Sequence, residues 1–403
     1  MTDQKLKILF IPADGIEADI TRSYFFAKGL AKFSDVYYIT WKDFRSVKWL
    51  GGKLSKLNTI KCFIISITSG YKIYKKQEDG FNRVKCSVFI DALIGRLIGA
   101  IRTKRMMRKH NSKTLLKLIE KIQPDVVFYS DSSYYFPAME QTDIIQVCDL
   151  QDDIDWDAYP NNLEVSEKAY RKQQFSIYDL HYIVSASARE SMTKHVGPYP
   201  FKELFNGADF TELKKDYSRE IKELNQKYDL DGKYIITHIG ADAWVDPVFT
   251  KKLFEKIYEI DKSIVLFLIG SMDKVQLPNV INTGMVPVSE AYVFYNLTDL
   301  AMLLQDSKGS DFLYNAVPLK NIQYGAVEKP VISFPIQWLE REGFSNTFII
   351  ENDNIDQWIE KIQEVRNNFS WSENDTNQWK NYDWDYICES LFNEIALKIK
   401  STQ

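Results

Sequence analysis

Short apolar runs, rich in Val, Ile, Leu and aromatic residues, recur along the chain, and between them lie longer stretches with apolar residues at helical spacing. Strands alternating with helices specify parallel sheets wound on both faces. Residues 7–11 predict a first strand, 20–33 a helix and 36–40 the next strand, with further strands at 126–129, 144–148 and 180–184. The pattern restarts at 234–238 and continues at 264–269 and 300–304, with an edge strand at Val280-Ile281 and another run at 330–333. At 403 residues the chain exceeds what one hydrophobic core organises, so two Rossmann-like α/β domains are expected. The break falls at 205–230, where Asn206-Gly207 turns the chain and a helix rich in Lys and Glu follows.

In such sheets ligands bind beyond the carboxyl ends of the strands. The most informative loop there is Asn315-Ala316-Val317-Pro318-Leu319-Lys320-Asn321-Ile322-Gln323-Tyr324-Gly325. Proline is favoured in a first helical turn, so Pro318 is expected to open a short helix whose free N–H groups face the preceding loop. Lys320 then sits in the first turn, where a cation opposes the helix dipole unless an anion is near. A phosphate site is one reading of that conflict, and an ordinary solvated lysine is the other. Gly240, Gly270 with Ser271-Met272, and Gly284-Met285-Val286-Pro287 close other strands. Each of these glycines could let backbone approach a ligand, or simply turn the chain. No GxGxxG and no GxxxxGK[ST] occurs, so a dehydrogenase or P-loop NTPase reading loses most of its support.

The strand at 144–148 runs into Asp149-Leu150-Gln151-Asp152-Asp153-Ile154-Asp155-Trp156-Asp157. Crowded carboxylates raise one another's pKa toward values useful to a general base. A solvated acidic loop or a helix cap fits the same residues.

Net charge is −4, but residues 1–125 carry 25 Lys and Arg against 11 Asp and Glu, and the remainder 26 against 44. Within the basic part, Phe89, Ile90, Leu93, Ile94, Leu97, Ile98 and Ile101 recur at helical spacing and lead into Arg102, Lys104, Arg105, Arg108 and Lys109. Such a segment can lie on an anionic membrane surface; a core helix with a solvated basic end is the alternative. No nucleic-acid reader motif accompanies it, and nucleic acid is not an expected partner. The N-terminus shows no secretory signal, and no window is long and uncharged enough to span a bilayer, so a cytoplasmic protein is expected. Cys62, Cys86, Cys148 and Cys388 are scattered without zinc spacing, as in a reducing compartment. His110, His181, His195 and His238 show no triad or metal spacing, and His181 and His238, inside strands, read as core.

The order of motifs resembles the glycosyltransferases of GT-B architecture, in particular the family 4-like and xanthan-type glucuronosyltransferase branches of bacterial polysaccharide synthesis. The residues that carry it are Asp179, Val184-Ser185 and Asn206-Gly207-Ala208-Asp209, then Leu268-Ile269-Gly270, Pro278-Asn279-Val280, Gly284, Val286-Pro287 and Thr298-Asp299-Leu300. Pro318-Leu319-Lys320 and Tyr324 match the family's Pro-Leu-Lys-x-x-Glu-Tyr element, with Gln323 where glutamate is usual and Asn315 where an earlier acid is usual. Gln323 with Lys320 three residues before it is similar to the glucuronosyltransferase branch, which implies a uronic acid donor.

The resemblance implies two doubly wound domains facing a central cleft. The acceptor domain would be 1–205 completed by a terminal helix at 383–403, and the nucleotide-sugar domain 206–382. It implies a hexosyl- or glucuronosyltransferase needing no metal, with a UDP-sugar as co-substrate and a lipid-linked or glycan acceptor. The enzyme would sit peripherally at the inner face of the membrane, through Arg102, Lys104, Arg105 and Arg108. Lys320, with the turn at Pro318 and Leu319, would take the charge developing on the leaving diphosphate. Gln323 and Asn315 would hold phosphate or ribose, Gly240, Gly270 and Met272 would border the donor, and the backbone at Met285 and Val286 would hold the base. An inverting reaction would need a carboxylate, Asp149 first and Asp153 second. A catalytically silent homologue, binding sugar nucleotide or scaffolding a partner glycosyltransferase, is the alternative that Asn315 and Gln323 raise.

Overall fold

The computed structural model describes residues 5–12, 21–41, 71–74, 80–86, 100–130, 143–152, 161–240, 245–270, 275–305, 311–351 and 353–402. The chain divides into two compact units, Met1–Leu204 with Cys388–Gln403, and Phe205–Ile387.

The first unit is built on an eight-stranded sheet: β1 (Lys7–Ile11), β2 (Asp35–Trp41), β3 (Tyr71–Tyr74), β4 (Asn82–Cys86), β5 (Val126–Ser130), β6 (Ile145–Leu150), β7 (Leu180–Ile183) and β8 (Lys202–Glu203). Their order is β3-β4-β2-β1-β5-β6-β7-β8, all neighbours parallel except the β3–β4 pair. β1 is central, and Ile8 to Ile11 are fully buried because both faces are covered. Register brings Phe10 opposite Tyr38 and Phe128, and the three rings stack at centroid distances of 5.6 and 4.7 Å. The sequence expectation missed β3 and β4, whose residues are too polar to read as buried strands.

Four helices matter in this unit: α1 (Arg22–Leu30), α2 (Ala100–Ile122), α3 (Asn161–Phe175) and α4 (Ala186–His195). Thr21 caps α1 by accepting from the Tyr24 amide, and Ser185 caps α4 by accepting from that of Ala188. The apolar stretch expected from Phe89 lies outside the described residues up to Gly99. The described basic residues instead open α2, whose buried face is formed by Asn111, Ser112, Thr114, Leu115, Leu118 and Ile122. Among the described residues, no helix is long and apolar enough to cross a membrane.

The second unit carries β9 (Tyr234–Ile239), β10 (Ile264–Ile269), β11 (Val280–Gly284), β12 (Leu300–Leu303), β13 (Val331–Ser333) and β14 (Thr347–Ile349), parallel in the order β11-β10-β9-β12-β13-β14. Strand alternation splits its core. Ile236, Leu266, Leu268 and Met302 pack with Leu253 and Phe254 of α6 (Pro247–Ile260) and Trp358 of α9 (Ile355–Asn368). On the opposite face Ile235, Phe267 and Ile269 pack with Leu224 of α5 (Ser218–Tyr228) and Val293, Phe294 and Leu297 of α7 (Val288–Leu297). α8 (Leu319–Ala326) follows β12, and α10 (Trp384–Thr402) belongs from Cys388 onward to the first unit.

Candidate functional site

The order of the second sheet reverses at β9. Successive strands are added on one side as β10 and β11, then on the other as β12 to β14, so the carboxyl ends of β9 and β12 border the topological switch point where ligands of such sheets bind. Three glycines described there close adjacent strands. Gly240 follows β9 at φ 151°, Gly270 follows β10 at φ 133°, and Gly284 ends β11 at φ 72°. Gly240 N donates to the Ile269 carbonyl and Gly270 N to that of Gly284, locking the three ends together. A Cβ on Gly270 would collide with the Gly240 carbonyl, so close approach requires this glycine.

Against that edge lies the start of α8. Pro318 is buried and forms the N-cap rather than the first helical residue, and its carbonyl accepts from Asn321 N at 3.1 Å. The preceding loop is held by Asn206, whose Nδ2 donates to the Val317 carbonyl at 2.8 Å. Tyr324 anchors the next turn: its hydroxyl meets Thr237 Oγ1 of β9 at 2.8 Å, and Thr237 meets Thr298 at 2.8 Å. The helix is therefore fixed to β9, and its first turn presents Lys320 to Gly240.

Lys320 Nζ and Cε fill the space where a Gly240 side chain would stand. Among the described residues, the amine has no hydrogen-bond or ion-pair partner, and burial pushes it down to about 8. His238 sits beneath it, fully buried, with Nδ1 2.8 Å from the Met302 carbonyl of β12 and Nε2 without a partner among the described residues. Burial, reinforced by the charge of Lys320, pushes His238 down to about 3, so the imidazole is neutral at physiological pH. The sequence placed His238 in the core, which holds, but not against the lysine; only the sheet order makes them neighbours. A half-buried cation beside a neutral ring, with no acid offsetting it among the described residues, is a site arranged for an anion.

The other expected donor residues are distributed as follows. Gln323, one turn after Lys320, is half-buried, and its Oε1 accepts from the Tyr295 hydroxyl at 2.5 Å, leaving the amide N–H groups to donate. Asn315 and Leu319 flank Pro318 and are half-buried. Met285 is 76% exposed beyond β11, while Val286 packs against the core under that strand. Met272 lies outside the described residues.

In the first unit, Asp149 closes β6 and is fully buried. Its oxygens accept from Arg22 Nε at 3.0 Å and Nη2 at 2.7 Å, and from Ser130 Oγ at 3.3 Å, while Arg22 also donates to the Leu204 carbonyl. Arg22 opens α1, where a cation opposes the dipole, and Asp149 compensates it. The carboxylate expected first as a base, Asp149, is thus engaged by Arg22 and Ser130. Asp152 is exposed, and Asp153 lies outside the described residues. Of the basic cluster, Arg102 and Arg105 are exposed, the side chain of Lys104 lies outside the description, and Arg108 is buried. Arg108 Nη2 bonds both oxygens of Glu167 at 3.0 and 2.8 Å, and its guanidinium lies 3.2 Å from the Tyr170 ring centroid. Arg108 is therefore an internal ion pair and not a solvated membrane contact; its acidic partner, 59 residues away, is invisible in the local pattern.

No family model and no curated protein matches the chain. Solved structures do. A glycosyltransferase from Rickettsia africae is similar over 98% of this chain and 99% of its own, with a TM-score of 0.70 and 12% identity. Anabaena HepE, solved in complex with UDP, aligns over 97% and 100% with a TM-score of 0.61 and 11% identity. WaaG, a glycosyltransferase involved in lipopolysaccharide biosynthesis, aligns over 97% and 99% with a TM-score of 0.60 and 13% identity. The chain has the GT-B fold, two Rossmann-like parallel-sheet units.

Proposed function

We propose that the chain is a glycosyltransferase that takes a sugar from a nucleotide-sugar donor, a UDP-sugar, and passes it to a lipid-linked or glycan acceptor. The observation that carries this reading is the Lys320 ammonium beside Gly240 and His238 at the switch point, unpartnered among the described residues. Departure of the sugar leaves charge on a diphosphate, and a preorganised cation in a water-poor site lowers the barrier to that step. Gln323, its carbonyl already taken by Tyr295, offers N–H donors to phosphate or ribose oxygens. That UDP accompanies one similar fold supports the choice of nucleotide, and the Gln323-for-Glu pattern supports a uronic acid.

In this reading residues 206–382 bind the donor and residues 1–205 with 383–403 bind the acceptor, with exposed Arg102 and Arg105 holding the protein to the inner face of an anionic membrane. The deprotonating carboxylate is assigned to Asp153, because Asp149 is committed to Arg22 and serves to hold the end of β6. Asn315 and Gln323, standing where acids are usual, favour a second reading, a silent homologue that binds the donor without turnover or scaffolds a partner glycosyltransferase. A panel of nucleotide sugars screened by thermal shift, followed by release of nucleoside diphosphate, separates the two. Stabilisation and turnover, both abolished in Lys320→Ala, support the enzyme. Stabilisation without turnover on any acceptor supports the silent homologue, and no stabilisation by any nucleotide sugar removes both.

A further inference from the structure

A groove of about 800 Å³ runs between α2 and α3 in the first unit, within the size range of small-molecule sites. Its two sides differ in chemistry. α2 contributes Arg105, Lys109 and Lys113, exposed and spaced four residues apart, so they form one stripe. Like charges at that spacing oppose the helix. Among the described residues none of the three has an ion-pair or hydrogen-bond partner. The nearby acids of α3 are already engaged, Glu164 with Lys168 and Glu167 with Arg108 and Arg171. α3 instead offers Val165, 68% exposed, and Ala169, neither of which carries a charge. Ile101 and Leu116 of α2 extend the apolar part. Buried Arg108, stacked on Tyr170 and fixed by Glu167, makes part of the lining rigid.

We propose that this groove binds a single lipid through its phosphate-bearing head, the phosphate against Arg105, Lys109 and Lys113 and the first methylenes against Val165, Ala169 and Leu116. The inference deepens the membrane-facing part of the reading above, replacing a diffuse basic surface with a defined pocket, and it makes no use of the donor site. A nucleic-acid backbone or a free phosphate would answer the cations but leave the apolar wall unmatched. A lipid answers both, since burying its methylenes on the apolar wall adds to the attraction of its phosphate for the cations.

The test uses the full chain titrated with monomeric dihexanoyl phosphatidic acid, with dihexanoyl phosphatidylcholine and with glycerol 3-phosphate. Saturable binding of phosphatidic acid alone is expected, weakened at least tenfold by the Lys109→Gln, Lys113→Gln double variant. Ala169→Phe, which fills the groove without changing charge, should weaken it equally, as should Val165→Trp at an exposed position that tolerates size. Nucleoside diphosphate binding should be unaltered in all variants, showing that the second unit is intact. The proposal is overturned if glycerol 3-phosphate binds as tightly as the lipid, or if no saturable lipid binding occurs. Sedimentation with phosphatidylglycerol vesicles that depends on the lysines but not on Ala169 or Val165 would leave only the diffuse basic surface and would equally overturn the groove.

Discussion

Lys320 and Gly240 are sterically matched: the amine at the start of α8 occupies the space that any side chain at the end of β9 would need. Neither residue is informative without the other, and the pair fixes where a charge uncompensated among the described residues lies.

Gly240→Ala should therefore damage the site twice. The backbone at φ 151° is one that alanine tolerates poorly, at a cost of about 1–3 kcal/mol, and the new methyl must displace the Lys320 amine. Calorimetry with UDP should show affinity lost by at least tenfold, out of proportion to a modest fall in melting temperature. Unchanged affinity would mean the amine does not contact the nucleotide.

Nucleotide affinity should also depend on pH. A lysine held at about 8 instead of 10.5 binds fewer protons when folded than when unfolded, so its burial costs stability below pH 8 and the cost fades between about 8 and 10.5. Ligand linkage has the opposite sign, because the diphosphate requires the charged form. Affinity should hold below pH 8 and fall about tenfold per unit above it. Lys320→Arg, charged throughout, should flatten that profile. A wild-type profile already flat from pH 7 to 9.5 would argue against the lysine.

Breaking the Arg22–Asp149 pair from one side should strand a buried charge. Arg22→Ala is expected to cost about 3–5 kcal/mol in chemical denaturation, whereas the Arg22→Met, Asp149→Leu double variant should recover much of that loss. If Asp149→Asn keeps its denaturation midpoint yet abolishes turnover, the aspartate is the base after all.

Tyr324→Phe removes the hydroxyl that ties α8 to β9, while Thr237 keeps its bond to Thr298. A loss of about 1 kcal/mol is expected. A larger fall in nucleotide affinity than in stability would show that the anchor sets the position of Lys320.

Much of the fold was legible because buried parallel strands must be continuously apolar, as at Ile264–Ile269, and the helices between them carry their own period. β3 and β4 escaped because they pair antiparallel at a sheet edge, where Asn82, Arg83 and Lys85 need not be buried. Lys320 was legible for a local reason, as a cation placed in a first helical turn after a proline.

Its neighbourhood was not legible. That His238 is neutral beneath it, that Asp149 is spent on Arg22 at a separation of 127 residues, and that Arg108 is spent on Glu167 are long-range pairings. Chain periodicity determined which segments are strands and helices, since burial imposes it residue by residue. Only the strand order and the packing of helices on the sheets decided which charges meet a partner, because electrostatic compensation depends on distance in space and leaves no trace in local spacing.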